Sequence, residues 1–169
     1  GGVSVGKKDI MHESLRLMGA ERIFWRVKMK PGMPTLFSAY KKTSDITATD
    51  NCASEREIPI ISLSGNPFGV AVSIELLIRP ALEKMMQDPS IGLKEVNGIM
   101  ADNFEKGIKG RRFIRAYLEN GKFHLPNGLH SNGVLSSMAG CNCLIDTKTM
   151  ENQESRSLNA GDKVGAILL

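Results

Sequence analysis

Aromatic side chains are scarce in this chain: one tryptophan, two tyrosines and six phenylalanines make up 5% of its residues. With so few rings, and no block of five basic residues, the sequence lacks the charged, ring-studded surface that nucleic-acid binding uses. No nucleic-acid partner is expected. Cysteine is rarer still. Three cysteines, an odd number, are too few for a disulfide framework and suit a reducing cytosol. No run approaches the roughly 18 apolar residues of a membrane helix, and no signal-peptide pattern opens the chain. A cytoplasmic protein without a membrane partner is therefore expected. His12, His124 and His130 lack metal-ligand spacing and read as surface or structural residues. Internal repeats, low-complexity tracts and a nucleophile–histidine–acid arrangement are all missing.

What remains is ordinary globular material. The 169 residues are 41% hydrophobic and 24% charged, enough for one domain or two small ones with a real core. The net charge of +4 is modest and favours an anionic small molecule over a polymer. The most pointed feature is the glycine-rich opening Gly1-Gly2-Val3-Ser4-Val5-Gly6. Such a loop usually follows a strand and leads into a helix, with backbone N–H groups free to close around a phosphate or oxyanion. No strand or initiator methionine precedes it here. Either the chain is a piece of a longer one, or the loop is a free end.

Downstream, Met11, Leu15 and Met18 fall at i, i+4 and i+7, which predicts a helix from Asp9 to Met18 ended by Gly19. Glu21 to Lys28 alternates like a strand. The turn Lys30-Pro31-Gly32-Met33-Pro34 leads to a second strand, Thr35 to Tyr40. Residues 41–57 are polar and aperiodic, an exposed excursion. Ile58 to Leu63 reads as a buried strand. Asn66-Pro67 starts a long helix reaching about Met86, with a kink near Pro80. Strand–helix alternation of this kind predicts an α/β layer.

The character changes at Asp88-Pro89-Ser90, the candidate linker between a domain at 1–88 and another at 91–169. Arg112 to Leu118 and Lys122 to Leu125 flank Glu119-Asn120-Gly121, and Asn-Gly between alternating strands signals a tight hairpin. Asn127 to Ala139 reads as a loop with one helical turn. Cys141 to Asp146 and Lys163 to Leu169 read as further strands, the second preceded by the turn Ala160-Gly161-Asp162. The second half is thus a small all-β unit, sandwich or barrel.

Several groupings could carry chemistry, each beside a plainer explanation. The glycine loop followed by Asp9 could hold a phosphate and a magnesium ion bridging it to the carboxylate, although an acidic residue in a helix's first turn is also common capping. Arg26, Lys28 and Lys30 alternate, so on one strand they would share a face that neutralises an oxyanion or is simply solvated. Ser64-Gly65-Asn66-Pro67 offers backbone N–H groups to an anion, or merely a well-formed helix start. Cys141 and Cys143 without further Cys or His nearby make a poor zinc site, so buried packing is expected.

Taken in order, these pieces resemble the molybdopterin molybdenumtransferase family (MoeA, gephyrin E-domain). The resemblance is carried by Gly1-Gly2-Val3-Ser4-Val5-Gly6 with Asp9, Phe24-Trp25-Arg26, Lys30-Pro31-Gly32-Met33-Pro34 and Leu63-Ser64-Gly65-Asn66-Pro67. Further on come Phe113-Ile114-Arg115, the segment from Gly128 to Ala139, and Leu158-Asn159-Ala160-Gly161-Asp162-Lys163-Val164. It implies that residues 1–88 are most of a three-layer, MogA-like molybdopterin-binding α/β domain without its first strands. Residues 91–169 would then be the C-terminal β-barrel domain.

The resemblance also implies a homodimer that inserts molybdate into adenylylated molybdopterin with magnesium, releasing AMP. Asp9 matches the catalytic and metal-holding acid. Gly1, Gly2, Ser4 and Gly6, with Gly65, Asn66 and Pro67, match cofactor-binding positions. Lys30, Pro34 and Arg115 match the residues near molybdate. Three departures stand out. Met33 occupies the second lysine of the family's Lys-Pro-Gly-Lys-Pro, Ser64 replaces a proline, and Gly69 replaces a serine. Met33 and Gly69 remove groups that could hold an oxyanion, at a cost of roughly 1.5–3 kcal/mol for each buried charge-assisted contact. Low activity for this chain is expected, and the alternative is a non-catalytic molybdopterin-binding or scaffolding member.

Overall fold

The computed structural model describes residues 3–4, 6, 9–42, 56–108, 110–127, 133–147 and 156–169. The chain divides into two compact units, one of residues 1–27 and 34–65, the other of residues 28–33 and 66–169.

The first unit sets one helix, α1 (Met11–Leu17), beside an antiparallel sheet of β1 (Glu21–Trp25), β2 (Leu36–Lys42) and β3 (Arg56–Ser62), with β2 in the middle. Val3, Leu15 and Leu36 form its core, flanked by Met11, Ala20, Trp25 and Ile60. Two sequence expectations fail here. The first strand stops at Trp25 because Arg26 adopts φ 75°, a left-handed conformation that ends the alternation. Arg26, Lys28 and Lys30 therefore form no stripe. The Arg26 guanidinium instead lies 4.2 Å over the Trp25 ring, and Lys30 belongs to the other unit. Nor is β3 a buried strand. Among the described residues it is an edge, its first four residues are exposed, and Pro59 sits where an edge tolerates a missing donor. The excursion predicted at 41–57 falls mostly outside the described residues.

In the second unit, α2 (Pro67–Ser73) and α3 (Arg79–Met86) are joined by one wide helical turn, Ile74–Ile78. Pro80 cannot donate to the carbonyl four residues back and crowds it, so the widened turn is where the expected kink is absorbed. The supposed linker is a short turn, Pro89–Ile91, capped by Asp88, whose carboxylate accepts the Ser90 N–H at 2.9 Å. Arg79 ties it to α3 by donating from Nε to the Ile91 carbonyl at 2.8 Å.

Seven strands follow: β4 (Lys94–Met100), β5 (Phe104–Ile108), β6 (Phe113–Glu119), β7 (Lys122–His124), β8 (Cys143–Asp146), β9 (Arg156–Leu158) and β10 (Lys163–Leu168). Five close into a barrel in the order β10, β4, β7, β6, β8, while β5 and β9 pair separately. The expected all-β unit is thus a barrel. The Asn120-Gly121 hairpin forms as read, with Glu119 opposite Lys122. Both turn residues have positive φ, 49° and 76°, the twist a two-residue hairpin needs. Ile114, Ala116, Phe123, Cys143, Ile145, Val164 and Ala166 fill the barrel together with Met100, Phe104 and Leu158. No helix among the described residues is long and apolar enough to cross a membrane.

Candidate functional site

In the first unit, Ser4 and Gly6 of the glycine-rich opening meet Asp9. Asp9 Oδ2 accepts the Ser4 N–H at 2.5 Å, and Oδ1 accepts the Met11 N–H at 3.3 Å. The Asp9 N–H in turn reaches the Gly6 carbonyl at 2.9 Å. Val3 is fully buried, and its carbonyl accepts the Trp25 indole N–H at 2.8 Å. The carboxylate is therefore anchored by two backbone amides just ahead of α1, whose N-cap position is Ile10. Ser4's amide, expected to be open to an anion, is turned to Asp9 itself. Each carboxylate oxygen still has lone-pair capacity left. Magnesium is commonly held by one or two carboxylates plus substrate phosphates, a donor set that a single Asp9 fits. Gly1 and Gly2 lie outside the described residues. Pro34 is half-buried and Gly65 exposed, both in this unit.

A cleft of about 330 Å³ in the same unit is lined by His12, Glu13, Leu15, Arg16, Ala20, Arg22, Leu36 and Ser38. None of the predicted site residues lines it. His12, read as a surface or structural residue, packs edge-on to Trp25 with ring centres 4.7 Å apart.

The second unit holds the remaining predicted residues. Its strap, residues 28–33, is tied to β6 by two backbone hydrogen bonds. The Lys30 N–H donates to the Arg111 carbonyl at 3.0 Å, and the Phe113 N–H donates to the Lys30 carbonyl at 2.8 Å. Lys30 is thereby in parallel register with Arg112. Gly32 makes the turn possible. Its φ is 94°, and a Cβ there would stand 2.7 Å from both Met29 Cε and Ser73 Oγ. Pro31 and Gly32 are buried, whereas the Lys30 side chain is exposed and Met33 is 47% exposed.

Alternation along β6 sorts the three arginines. Arg111 is neutralised by Asp146, with Nε donating to Oδ1 at 3.0 Å and Nη2 to Oδ2 at 2.7 Å. Arg115 shares that face and is 2% exposed. Its guanidinium lies 3.9 Å over the Phe68 ring of α2, and Nη1 donates to the Val134 carbonyl at 2.9 Å. Burial lowers its pKa, partly offset by nearby Cys141. Arg112 takes the alternate face, that of Ile114 and Ala116. Thr147 clamps its backbone, Oγ1 accepting the Arg112 N–H at 2.7 Å. The guanidinium is half-buried 5.8 Å from the Phe104 ring centre, and its Nε is buried with no hydrogen-bond partner among the described residues. Burial lowers its pKa too, though an arginine stays charged.

Asn66 caps α2 as read, its Oδ1 accepting the Gly69 N–H at 3.1 Å, with Pro67 in the first turn. The buried amide of Gly69 is thus engaged. Cys143 is buried and burial pushes its thiol up to about 12, while Cys141 is half-buried. That is the packing role expected for Cys143. No group of three His, Cys, Asp or Glu among the described residues is arranged to hold a metal. Sequence reasoning missed Arg112, Thr147 and the Phe68–Arg115 stack. The Arg111-Arg112 doublet before β6 was the available signal.

Two family models match the chain: "Probable molybdopterin binding domain" over residues 1–84 and "MoeA C-terminal region (domain IV)" over residues 97–169. Curated relatives named molybdopterin molybdenumtransferase, from Staphylococcus aureus and Staphylococcus epidermidis, are 29% and 27% identical over 171 aligned residues. Each alignment takes in 99% of this chain, which spans 36% of those relatives' length. Two crystal structures of molybdopterin biosynthesis MoeA protein from Pyrococcus horikoshii share the fold, with TM-scores of 0.61 and 0.68 at 22% and 17% identity. They cover 92% and 95% of this chain, and 33% and 34% of their own.

Proposed function

The chain belongs to the molybdopterin molybdenumtransferase (MoeA) family, with a MogA-like α/β domain followed by a small β-barrel domain, and from that premise we propose that it serves molybdenum cofactor biosynthesis. The proposed step is insertion of molybdate into adenylylated molybdopterin with release of AMP. The observation that carries the reading is the Asp9 turn, a carboxylate fixed by two backbone amides at the end of a glycine loop. Asp9 and the substrate's own phosphates would hold magnesium, whose charge would offset that of the phosphates. Gly1, Gly2, Ser4 and Gly6, with Gly65, Asn66 and Pro67, are the proposed cofactor-binding positions. Lys30, Pro34 and Arg115 are the proposed oxyanion set, Lys30 through its exposed ammonium and Arg115 as a buried cation against α2. Domains at 1–88 and 91–169, a homodimer and a cytoplasmic location belong to the same proposal.

A second reading rests on Met33 and Gly69. An exposed thioether and a glycine stand where a cation and a hydroxyl would help hold molybdate, which favours a member that binds molybdopterin without turning it over. One experiment addresses both. Adenylylated molybdopterin titrated into the chain is expected to bind, and magnesium is expected to tighten that binding. Asp9→Asn should keep the binding and lose the effect of magnesium. AMP release on adding molybdate then separates the readings, and little or none is expected from this chain. Absence of nucleotide binding would overturn both.

A further inference from the structure

The cleft of about 330 Å³ in the first unit is walled by one face of α1 and one face of the sheet. His12, Leu15 and Arg16 fall at i, i+3 and i+4, so they share a side of the helix. On the sheet, Arg22 of β1 stands directly opposite Ser38 of β2, and Leu36 lies two residues before Ser38. Paired and alternate residues project from the same face, so these three side chains meet the cleft together. Leu15 and Leu36 are buried and give it an apolar wall, with the buried Ser38 beside them.

The polar groups around that wall are unequally engaged. Arg16 is held by Glu13 through two hydrogen bonds, Nε to Oε2 at 2.9 Å and Nη2 to Oε1 at 2.6 Å. Arg22 is exposed, and no ion pair engages it among the described residues. The His12 ring packs on Trp25, yet its Nε2 is buried with no hydrogen-bond partner among those residues. A buried polar atom left unmet is costly. With Glu13 and Arg16 cancelling, Arg22 leaves the cleft one positive charge in excess. Small-molecule sites have this form: a largely apolar lining, a few polar groups that fix orientation, and a volume of roughly 300–1,000 Å³.

We propose that this cleft binds a small organic carboxylate with an apolar body. The planar fork of Arg22 takes the carboxylate at the open side, next to the Ser38 hydroxyl. His12 Nε2 gives the bound acid a further polar anchor, and the apolar part covers Leu15 and Leu36. An inorganic anion would leave the apolar wall bare, and a neutral hydrocarbon would leave Arg22 and His12 unmet. The site shares no residue with the cofactor, metal and oxyanion positions proposed above.

Calorimetric titration of the 169-residue chain with sodium benzoate tests this. Benzyl alcohol keeps the ring without the charge, and sodium acetate keeps the charge without the ring. Benzoate is expected to bind one to one and several-fold more tightly than either. Arg22→Gln should weaken it about threefold to tenfold, between an exposed ion pair and a buried charge-assisted contact. His12→Phe keeps a ring against Trp25 but removes Nε2, and should cost about twofold to tenfold. Ala20→Met narrows the cleft with every charge retained and should weaken benzoate too. Arg56→Gln, on β3, should leave affinity unchanged. Thermal melts identify any variant that loses binding by unfolding, and NMR amide shifts confined to α1, β1 and β2 should locate the bound acid independently.

Benzoate binding that ignores Arg22→Gln, His12→Phe and Ala20→Met would overturn the site. Benzyl alcohol binding as tightly as benzoate would overturn the carboxylate, and acetate binding as tightly would overturn the apolar body. No benzoate binding at millimolar concentration would overturn the inference altogether and leave the molybdopterin reading untouched.

Discussion

Met33 is the residue whose side chain most directly contradicts the chemistry proposed around it. It lies three positions beyond Lys30 on the same strap and is 47% exposed, so a longer charged side chain can be placed there without repacking. A thioether carries no charge and accepts hydrogen bonds only weakly. Met33→Lys is therefore expected to raise molybdate affinity roughly tenfold, with the gain shrinking at high salt because the position is open to water. Calorimetry at low and high ionic strength checks both. Unchanged affinity would mean that position 33 does not line the oxyanion site. Gly69→Ser is a separate matter, since Gly69 is buried with its amide given to Asn66.

At this scale the sequence was informative wherever a side chain's role follows from its own chemistry and its immediate neighbours. Asp9 and Asn66 both cap backbone amides, as acidic and amide side chains at helix starts do. Arg112 was illegible for the opposite reason. Its place beside Lys30 depends on a register between segments some 80 residues apart, and no local pattern encodes that. The stripe of Arg26, Lys28 and Lys30 failed because counting alternate residues assumes an unbroken strand. One left-handed residue at Arg26 cancelled the assumption.

Elements were legible where turn chemistry is strong. Asn120-Gly121 and Asn66-Pro67 each specify a backbone conformation that few other pairs provide, and both formed as read. By contrast β4 escaped notice because Asn97 and Gly98 interrupt its apolar alternation, while β5 and β9 are short. The edge position of β3 was also invisible, because an apolar run looks the same whether one neighbour or two will cover it. The strap at 28–33 is the element on which the proposed site depends most. Gly32→Ala would force a side chain into φ 94° and set its Cβ 2.7 Å from Met29 Cε and Ser73 Oγ. Positive φ and overpacking each cost about 1–3 kcal/mol, so a loss of that size or somewhat more is expected in urea unfolding. Molybdate affinity should fall with it, because Lys30 is carried by the same strap. Full retention of both would show that the strap does not position Lys30.

For the molecule as a whole, the question is which cooperative unit owns the helices between residues 67 and 86. The proposed domains assign them to 1–88, whereas the packing assigns them to the unit that contains the barrel. The physical link is specific. Phe68 of α2 is buried, and Arg115 of β6, itself 2% exposed, stacks on its ring at 3.9 Å. Separating α2 from β6 would expose Phe68 and leave a desolvated guanidinium without its aromatic partner. An interaction of that kind contributes about 1–2 kcal/mol when shielded from water, beyond the apolar area it covers. Residues that open together share a free energy of opening, which native-state amide exchange reads residue by residue. The amides of Gly69 to Ser73 are therefore expected to exchange with the same denaturant dependence as those of β6 and β8. Those of β1 and β2 should follow their own curve. Arg115→Gln should then lower protection in α2 and β6 together while leaving β2 unchanged. If the α2 amides track β2 instead, and ignore Arg115→Gln, the helices open with the first unit and the Phe68–Arg115 stack contributes little to holding them.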